Sequence, residues 1–298
     1  MTHFSDDDII ARWKEKPAPL LPMLHDFHDR DGYLSEGALR AVAQGLRIPI
    51  ADLFGTVSFY HHFSCEPGGL EAPRVCTGPI CKMNGADELL GALDGATAMP
   101  CSGRCDEPIP VLRGHDTLIG LSAESLESRP SPLPPAARDS IEECVFAHIR
   151  ESDRASLDGY RNTGGYEGLV KALAMAPVEL VQLVSDSGLA GRGGAGFPTG
   201  RKWKAVADAE GDPKTIVCNA DEGEPGCFKD RCLMDYDPHA VVEGMILAAY
   251  ATGATRGFIY LRYEYPETEQ VLAQALDEAR RAGLLGYGIL GSDFSFEL

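Results

Sequence analysis

Two close pairs of cysteines carry the most specific chemistry in this sequence. Cys76 and Cys81 are separated by four residues, Cys101 and Cys105 by three, and glycine or proline bends each intervening segment. Such pairs can present four thiolates to one metal centre, and both zinc and an iron–sulfur cluster accept that ligand set. Zinc ribbons favour two residues between paired cysteines, so the wider spacing favours a cluster. The alternative is four unligated thiols in a small core.

A glycine-rich stretch at residues 191–202 is the second candidate. Five of its twelve residues are glycine, and two arginines and Lys202 lie among them. Glycine lets backbone N–H groups approach a ligand closely, and the residues from Arg201 onward, which Thr199 and Gly200 precede, predict a helix whose N-terminus attracts anions. We therefore expect this stretch to hold a phosphorylated flavin or nucleotide. A Rossmann site is disfavoured, because residues 177–187 predict a helix where that site requires a strand.

An acidic segment follows a strand predicted at residues 214–219, whose apolar composition is typical of a buried strand. The segment contains Asn219, Asp221, Glu222 and Glu224. Carboxylates directly after a strand are well placed to accept hydrogen bonds from hydroxyl groups. The alternative is a solvated acidic turn.

Two further motifs are interpreted as structural. Residues 26–33 resemble a calcium-binding EF-hand loop, but Phe27 and Ala38 stand where ligands are required, so we exclude calcium and expect a helix-breaking turn. Cys227 and Cys232 repeat the four-residue gap, yet no further pair accompanies them. They are therefore interpreted as unligated thiols and not as a second cluster.

These candidate sites require two folded parts to position them. Hydrophobic periodicity predicts helices across residues 6–63, and short strands with one helix predict a small α/β unit across residues 72–127. Four prolines in residues 128–138 predict a semi-rigid linker. A helix at 141–150 and then alternating helices and strands predict an α/β domain with a mostly parallel sheet. We therefore divide the chain into residues 1–127, a linker at 128–139 and a partial domain at 140–298.

Composition limits the partners. A net charge of −18 over 298 residues argues against nucleic-acid binding, because phosphates would be repelled. No apolar run predicts a membrane span, and the N-terminus carries no secretory signal. Nine cysteines in such a chain indicate the cytoplasm, where metal binding or catalysis explains cysteine clusters better than disulfides do.

The cysteine motifs, with the preceding Gly55-Thr-Val-Ser-Phe-Tyr-His-His-Phe, resemble the thioredoxin-like [2Fe-2S] subunit of complex I and its relatives. The resemblance covers residues 6–127 and implies a helical bundle followed by a thioredoxin-like fold. The segment between the two pairs is shorter than is usual in this family. The metal ligands that the resemblance implies for a [2Fe-2S] cluster are Cys76, Cys81, Cys101 and Cys105.

The second half resembles the FMN- and NADH-binding flavoprotein subunit of complex I. The resemblance rests on residues 191–203, residues 219–231 and the motif Tyr260-Leu-Arg-Tyr-Glu-Tyr, with Tyr263 where relatives often carry glycine. It implies that the backbone at three glycines, Gly193, Gly194 and Gly196, approaches FMN and NADH. It also implies that Phe197 stacks on the adenine and that Lys202 contacts phosphate or ribityl oxygen.

The resemblance assigns further roles to the acidic segment. It implies that Asn219, Asp221 and Glu222 hydrogen-bond FMN, and that Glu224 is a catalytic residue beside the nicotinamide.

A [2Fe-2S] domain followed by a flavoprotein domain most resembles the diaphorase subunit of NAD-reducing hydrogenases, and next the flavoprotein subunit of NAD-dependent formate dehydrogenases. The resemblance implies a NADH:acceptor oxidoreductase that uses FMN, NAD(H) and a [2Fe-2S] cluster. Its partners would be other iron–sulfur subunits of a hydrogenase, a formate dehydrogenase or a complex I-like assembly. The sequence stops before the family's second glycine-rich motif, so we expect a C-terminally truncated form or the first half of a split flavoprotein. The alternatives are an electron carrier with the cluster alone and an inactive fragment.

Overall fold

The computed structural model describes residues 4–138 and 143–298. They separate into two units, Met1–Arg129 and Pro130–Leu298, and each unit has a hydrophobic core of its own. The linker predicted at 128–139 crosses this division, and its last residue lies outside the described residues. The domain limits given above stay a prediction.

The first unit begins with four helices, as the periodicity predicts: α1 (Asp6–Trp13), α2 (Leu20–Asp31), α3 (Glu36–Leu46) and α4 (Ile50–Phe59). Ser5 and Ser35 cap α1 and α3 by accepting hydrogen bonds from helix N–H groups. The apolar faces meet around Leu24 and Phe27, which are fully buried. Gly32 ends α2 with a φ of 74°, which is the helix-ending turn that the sequence predicts there.

A four-stranded sheet follows, in the order β2–β1–β3–β4. Its strands are β1 (Arg74–Cys76), β2 (Thr97–Met99), β3 (Pro110–Arg113) and β4 (Asp116–Ile119), and β1 is connected to β2 through α5 (Pro79–Met83) and α6 (Ala86–Ala92). β1 and β2 run parallel, whereas β3 pairs antiparallel with β1 and β4. The predicted small α/β unit is confirmed.

The second unit is built around the apolar helix α12 (Pro238–Thr252), in which Val242, Ile246 and Ala249 are fully buried. Other helices pack on it: α7 (Leu157–Arg161), α8 (Glu167–Leu173), α9 (Pro177–Asp186), α10 (Thr199–Asp208), α11 (Lys229–Tyr236) and α13 (Pro266–Arg281). None of the described helices has both the length and the apolar character needed to cross a membrane.

The segment before α7 differs from the prediction. Residues 143–150 form turns, so the helix predicted at 141–150 is wrong for its described part, and its first two residues lie outside the described residues. Arg150 accounts for the difference, because its guanidinium donates to the carbonyl of Pro134 over 3.4 Å and pairs with the carboxylate of Glu143. These contacts hold the segment against the linker residues.

Two parallel strands, β5 (Thr215–Ala220) and β6 (Arg256–Leu261), confirm the parallel pairing predicted for this unit. The composition of β5 predicts a fully buried strand, and that prediction is wrong. Val217 is 59% exposed, whereas Ile216 and Cys218 pack against the core. Since parallel neighbours end side by side, the residues that follow β5 and β6 leave the sheet at the same end.

A buried carboxylate joins α8 to α12. Glu243 accepts hydrogen bonds from the hydroxyl of Tyr160 (2.5 Å) and from the backbone N–H groups of Tyr166 (2.8 Å) and Leu169 (3.0 Å). The two N–H groups stand at the N-terminus of α8, where a negative charge complements the helix dipole. These bonds replace the water that a buried carboxylate would otherwise need.

Candidate functional site

The four predicted ligand cysteines lie at one end of the four-stranded sheet. Cys76 is the last residue of β1, Cys81 lies in α5, and Cys101 and Cys105 lie between β2 and β3. The parallel pairing of β1 with β2 places Cys76 opposite Met99, two residues before Cys101. The strand order therefore brings both pairs to the same place.

The four thiols form one hydrogen-bonded set. Cys76 hydrogen-bonds with both Cys101 and Cys81, and the sulfur atoms of Cys101 and Cys105 are 3.5 Å apart. Cys105 is partly exposed, while the other three are buried. The cysteines selected by their spacing are therefore neighbours, which disfavours the alternative of thiols scattered in a small core.

Hydrogen bonds converge on one of these sulfur atoms. Bonds from the thiols of Cys101 and Cys81, together with the backbone N–H groups of Gly78 and Ser102, lower the pKa of Cys76 below the ordinary value of a thiol. The hydrogen bond with Cys76 and burial raise the pKa of Cys81 and of Cys101 above the ordinary value. N–H groups directed at sulfur stabilise thiolates and tune iron–sulfur clusters.

Gly78 lets the two cysteine segments meet. A Cβ at this position would lie 2.9 Å from the Cβ of Cys101 and 3.1 Å from its Cα, which is closer than carbon atoms pack. The glycine between the first two cysteines is therefore required by the approach of the second pair.

The donor set fits a [2Fe-2S] cluster in number and in type. Such a cluster takes four cysteine thiolates, divided between two irons. Across residues 4–138 and 143–298, no three His, Cys, Asp or Glu side chains converge as ligands of a single metal ion.

The glycine-rich stretch forms an open loop before α10. Its base is closed by a hydrogen bond of 2.9 Å from the N–H of Gly191 to the carbonyl of Phe197. No atom lies within 4 Å of the place where a Cβ would stand on Gly193, Gly194 or Gly196, and φ is 101° at Gly194 and 57° at Gly196. The backbone of the loop is therefore accessible, and at Gly194 and Gly196 it adopts the left-handed conformation that favours glycine.

The N-terminus of α10 follows directly. Pro198 precedes the helix, and no side chain caps its first N–H groups. In the first turn, Gly200 packs against Ser185 of α9, where a Cβ would lie 2.2 Å from the hydroxyl oxygen and 2.7 Å from the backbone nitrogen. An uncapped helix N-terminus behind a loop of glycines is suited to a phosphate. The element before the glycine loop is the helix α9 and not a strand, as the sequence predicts, and a Rossmann site requires a strand there.

Phe197 and Lys202 flank this helix start as exposed side chains. Phe197 is 47% exposed, so it does not belong to the core, and the guanidinium of Arg201 lies 5.6 Å from its ring centroid. An exposed ring is available for stacking on a planar ligand. The roles predicted for the two residues toward a nucleotide stay predictions.

The acidic segment is anchored through Glu222. Its buried carboxylate accepts hydrogen bonds from Nζ of Lys229 (3.0 Å) and from the backbone N–H groups of Asp230 (3.0 Å) and Arg231 (3.3 Å). Those N–H groups belong to the first turn of α11, so Glu222 caps this helix. The contacts give Glu222 a structural role, and its predicted hydrogen bond to FMN stays a prediction.

The other predicted residues of the segment face outward. Asn219, Asp221 and Glu224 are exposed. Oδ1 of Asn219 accepts a hydrogen bond of 3.2 Å from the N–H of Asp221, which turns the chain directly after β5. In open α/β sheets, ligands bind beyond the carboxyl ends of the strands, which is where these side chains lie.

Arg262 belongs to this site, although the sequence reasoning assigns it no role. It follows β6, and its Nη1 donates to the carbonyl oxygen of Glu222 over 2.7 Å while Nε lies 3.2 Å from Oδ1 of Asp221. Glu264 pairs with the same guanidinium at 3.2 Å. The indication in the sequence is the motif that begins at Tyr260, which places an arginine and a glutamate directly after a strand.

Two family models match the chain. Residues 7–107 match the thioredoxin-like [2Fe-2S] ferredoxin, and residues 184–296 match the Nuo51 FMN-binding domain. The first range contains the four neighbouring cysteines, and the second contains the glycine loop and the acidic segment.

Known proteins resemble the whole chain or about half of it. The NAD-reducing hydrogenase HoxS subunit alpha of Cupriavidus necator is 31% identical over 97% of this chain and 53% of its own length. A NADH-quinone oxidoreductase subunit of Aquifex aeolicus is 50% identical over 48% of this chain and 33% of its own length. The NADP-reducing hydrogenase subunit HndC of Solidesulfovibrio fructosivorans is 53% identical over 49% of this chain and 30% of its own length. The chain thus spans about a third to a half of the length of these relatives.

A solved structure has the same fold. The NAD+-reducing [NiFe]-hydrogenase in its air-oxidized state matches 88% of this chain and 49% of its own chain, with a TM-score of 0.68 and 25% sequence identity. The predicted fold class, a helical bundle with a thioredoxin-like domain followed by a partial α/β flavoprotein domain, is confirmed. The chain therefore joins a region that is similar to the thioredoxin-like [2Fe-2S] ferredoxin to a region that is similar to the Nuo51 FMN-binding domain.

Proposed function

We propose that this chain is part of a NADH:acceptor oxidoreductase, a diaphorase module that exchanges electrons between NAD(H), FMN and iron–sulfur clusters. The observation that carries the proposal is a set of four hydrogen-bonded thiols in a chain whose second half matches an FMN-binding domain. Relatives named as subunits of a NAD-reducing hydrogenase and of NADH-quinone oxidoreductases support it.

The protein binds and orients the groups that do the chemistry. When bound, FMN supplies the conversion between a hydride and single electrons, and a [2Fe-2S] cluster supplies one-electron transfer. The N–H groups of Gly78 and Ser102 stabilise the sulfur charge at the cluster site. The ligands of the cluster are Cys76, Cys81, Cys101 and Cys105.

The loop before α10 binds phosphate, and its neighbours bind the nucleotide. The glycines supply accessible N–H groups, and Lys202 supplies a point charge for phosphate or ribityl oxygen. Phe197 offers its exposed ring to the adenine of NADH. The glycines of this loop are Gly193, Gly194 and Gly196.

The acidic segment binds the remainder of the flavin. Asn219 and Asp221 would accept hydrogen bonds from ribityl hydroxyls, and Glu222 holds the segment from the buried side. Glu224 would be the catalytic residue toward the nicotinamide. A helix and a strand joined by a short connection run in opposite directions. The end of β5 therefore lies on the side where α10 begins, and this topology supports one site shared by both segments.

We place the protein in the cytoplasm, in an assembly with other iron–sulfur subunits of a hydrogenase, a formate dehydrogenase or a complex I-like enzyme. Nine cysteines that include two close pairs support a reducing compartment, where metal binding explains such clusters better than disulfides do. The hydrogenase relative that aligns with nearly the whole chain supports the first of these assemblies.

A second candidate function is an electron carrier that uses the [2Fe-2S] cluster alone. It is favoured because all four predicted ligand cysteines lie in one unit, Met1–Arg129, which contains none of the residues of the proposed flavin site.

Absorption spectroscopy of the full chain, purified anaerobically, separates the two functions. A flavin band that bleaches on addition of NADH supports the diaphorase, and a cluster spectrum without flavin supports the carrier. A colourless protein refutes both. Cys101→Ser is expected to abolish the cluster spectrum, and the exposed Cys65→Ser is expected to leave it unchanged.

A further inference from the structure

The guanidinium of Arg262 joins the ends of β5 and β6. Its Nη1 donates to the carbonyl oxygen of Glu222 over 2.7 Å, and its Nε lies 3.2 Å from Oδ1 of Asp221. The carboxylate of Glu264 accepts from Nη2 at 3.2 Å and from Nε at 3.3 Å. Arg262 and Glu264 are buried side chains, whereas Asp221 is 47% exposed. A buried guanidinium thus reaches outward to a half-exposed carboxylate.

The peptide next to Asp221 is also fixed from its other side. The carboxylate of Glu222 caps α11 through the N–H groups of Asp230 and Arg231, while its carbonyl oxygen is held by Arg262. Both the side chain and the backbone of Glu222 are therefore engaged. The backbone of the acidic segment is held in one position, and the Asp221 carboxylate is directed away from the core.

Arg262 does not need Asp221 as its counter-ion. The buried carboxylate of Glu264 already balances the charge of the guanidinium. An ion pair to a half-exposed carboxylate adds little to stability, because water screens it and a long side chain must be ordered. The contact with Asp221 is better explained by orientation, since Oδ1 is held by the arginine while the side chain stays 47% exposed and accessible to a ligand.

We infer that Arg262, supported by Glu264, is a positioning residue for FMN binding that acts through Asp221. The planar fork of an arginine reaches the backbone carbonyl and the carboxylate together, which the single ammonium of a lysine does not reproduce. This inference rests on the proposed function, because it assigns Arg262 to the same flavin site.

The test is a double-substitution cycle on FMN binding by the full chain. Quenching of FMN fluorescence gives Kd for the parent, Arg262→Gln, Asp221→Asn and the double variant. We expect Arg262→Gln to raise Kd about 10- to 100-fold, as for loss of a charge-assisted hydrogen bond, and to raise it no further in the Asp221→Asn background. Arg262→Lys is expected to give an intermediate Kd.

The control variant is Arg256→Gln, which removes an arginine at the other end of β6, about 20 Å away. Its Kd is expected to stay within about twofold of the parent. Far-UV circular dichroism checks the fold of each variant, and Arg262→Lys, which keeps the charge, serves if Arg262→Gln does not fold. A parent chain that fails to bind FMN overturns the proposed function and this inference with it. If the parent binds FMN, either of two results overturns the inference alone. One is that Arg262→Gln and Arg262→Lys both keep the Kd of the parent. The other is that Arg262→Gln weakens FMN binding equally in the parent and in the Asp221→Asn background.

Discussion

Replacing Gly78 by alanine is expected to prevent formation of the [2Fe-2S] cluster while the first unit stays folded. The new Cβ would stand 2.9 Å from the Cβ of Cys101, and carbon atoms pack at about 3.5–4.0 Å. The segment that carries Cys101 must therefore move by at least about 0.6 Å. Binding constellations tolerate displacements of about 0.5 Å, so the ligand set leaves its working geometry.

The cost to stability is smaller than the cost to the cluster. Overpacking of this kind costs about 1–3 kcal/mol, which lowers the thermal midpoint by several degrees without unfolding the chain. The assay is the iron and acid-labile sulfide bound per chain after anaerobic reconstitution, read together with the visible spectrum and far-UV circular dichroism. We expect Gly78→Ala to bind less than about half the iron of the parent and to keep its helical content.

Gly91→Ala is the matched control. Gly91 lies in α6 of the same unit, and no atom lies within 4 Å of the place where its Cβ would stand. Alanine in the last turn of this helix is expected to stabilise the unit by at most about 0.5–1 kcal/mol and to leave the iron content unchanged. If Gly78→Ala keeps the iron, the sulfide and the spectrum of the parent, the close approach at Gly78 does not hold the ligand cysteines in place.

Buried groups elsewhere in the chain give further expectations. Burial lowers the pKa of the fully buried His28 to about 4, below its unfolded value of 6.5, so the folded state binds fewer protons. His28 is therefore expected to contribute a loss of stability of up to about 1.4 kcal/mol per pH unit as the pH falls from 6.5 toward 4. His25 and His62, whose pKa burial also lowers, add to the slope, so the share of His28 is the part that His28→Gln removes in urea unfolding. Glu243→Gln is expected to lower the free energy of unfolding by about 1–3 kcal/mol. Its amide nitrogen cannot accept a hydrogen bond, so at least one of the three groups that donate to Glu243 would lose its acceptor. The exposed Glu269→Gln is expected to leave the free energy of unfolding unchanged. Gly200→Ala is expected to destabilise the packing of α9 on α10 and to weaken FMN binding, whereas the unobstructed Gly244→Ala in α12 is expected to raise the unfolding free energy by about 0.5–1 kcal/mol.

Each of these expectations has a contrary outcome. A pH slope that is the same in the parent and in His28→Gln contradicts the role given to that histidine. Equal unfolding free energies for Glu243→Gln and Glu269→Gln contradict the buried carboxylate as a helix cap. A Gly200→Ala protein as stable as Gly244→Ala shows that the backbone of Ser185 can move aside.

The convergence of the four cysteines could be predicted from the sequence because its information is local. Two close pairs single out Cys76, Cys81, Cys101 and Cys105 as the predicted ligands, and the structure brings these four thiols together. The structure adds the hydrogen-bond donors, Gly78 and Ser102, which spacing alone does not identify. The need for glycine at position 78 arises from Cys101, twenty-three residues away along the chain, so no local pattern predicts it.

The flavin half was less predictable because its determinants are distant in sequence. The composition of β5 predicts a buried strand, but whether Val217 is covered depends on what packs on that face of the sheet. Arg262 is separated by forty residues from the carbonyl that it holds. The turns at residues 143–150 depend on Arg150 and the linker, so the local helical pattern there is overridden by tertiary contacts.

The two sites therefore differ in what they need in order to form. The proposed cluster site takes its four predicted ligands and the N–H groups around them from residues 76–105 of one unit, so it is expected to require the correct folding of that unit alone. The proposed flavin site takes residues from the loop before α10, the end of β5 and the residue after β6, and all of these are held through α11 or α12. Substitutions in the second unit, such as Glu243→Gln and Gly200→Ala, are thus expected to weaken FMN binding and to leave the cluster spectrum unchanged. Loss of the cluster spectrum in either variant would contradict the independence of the two sites.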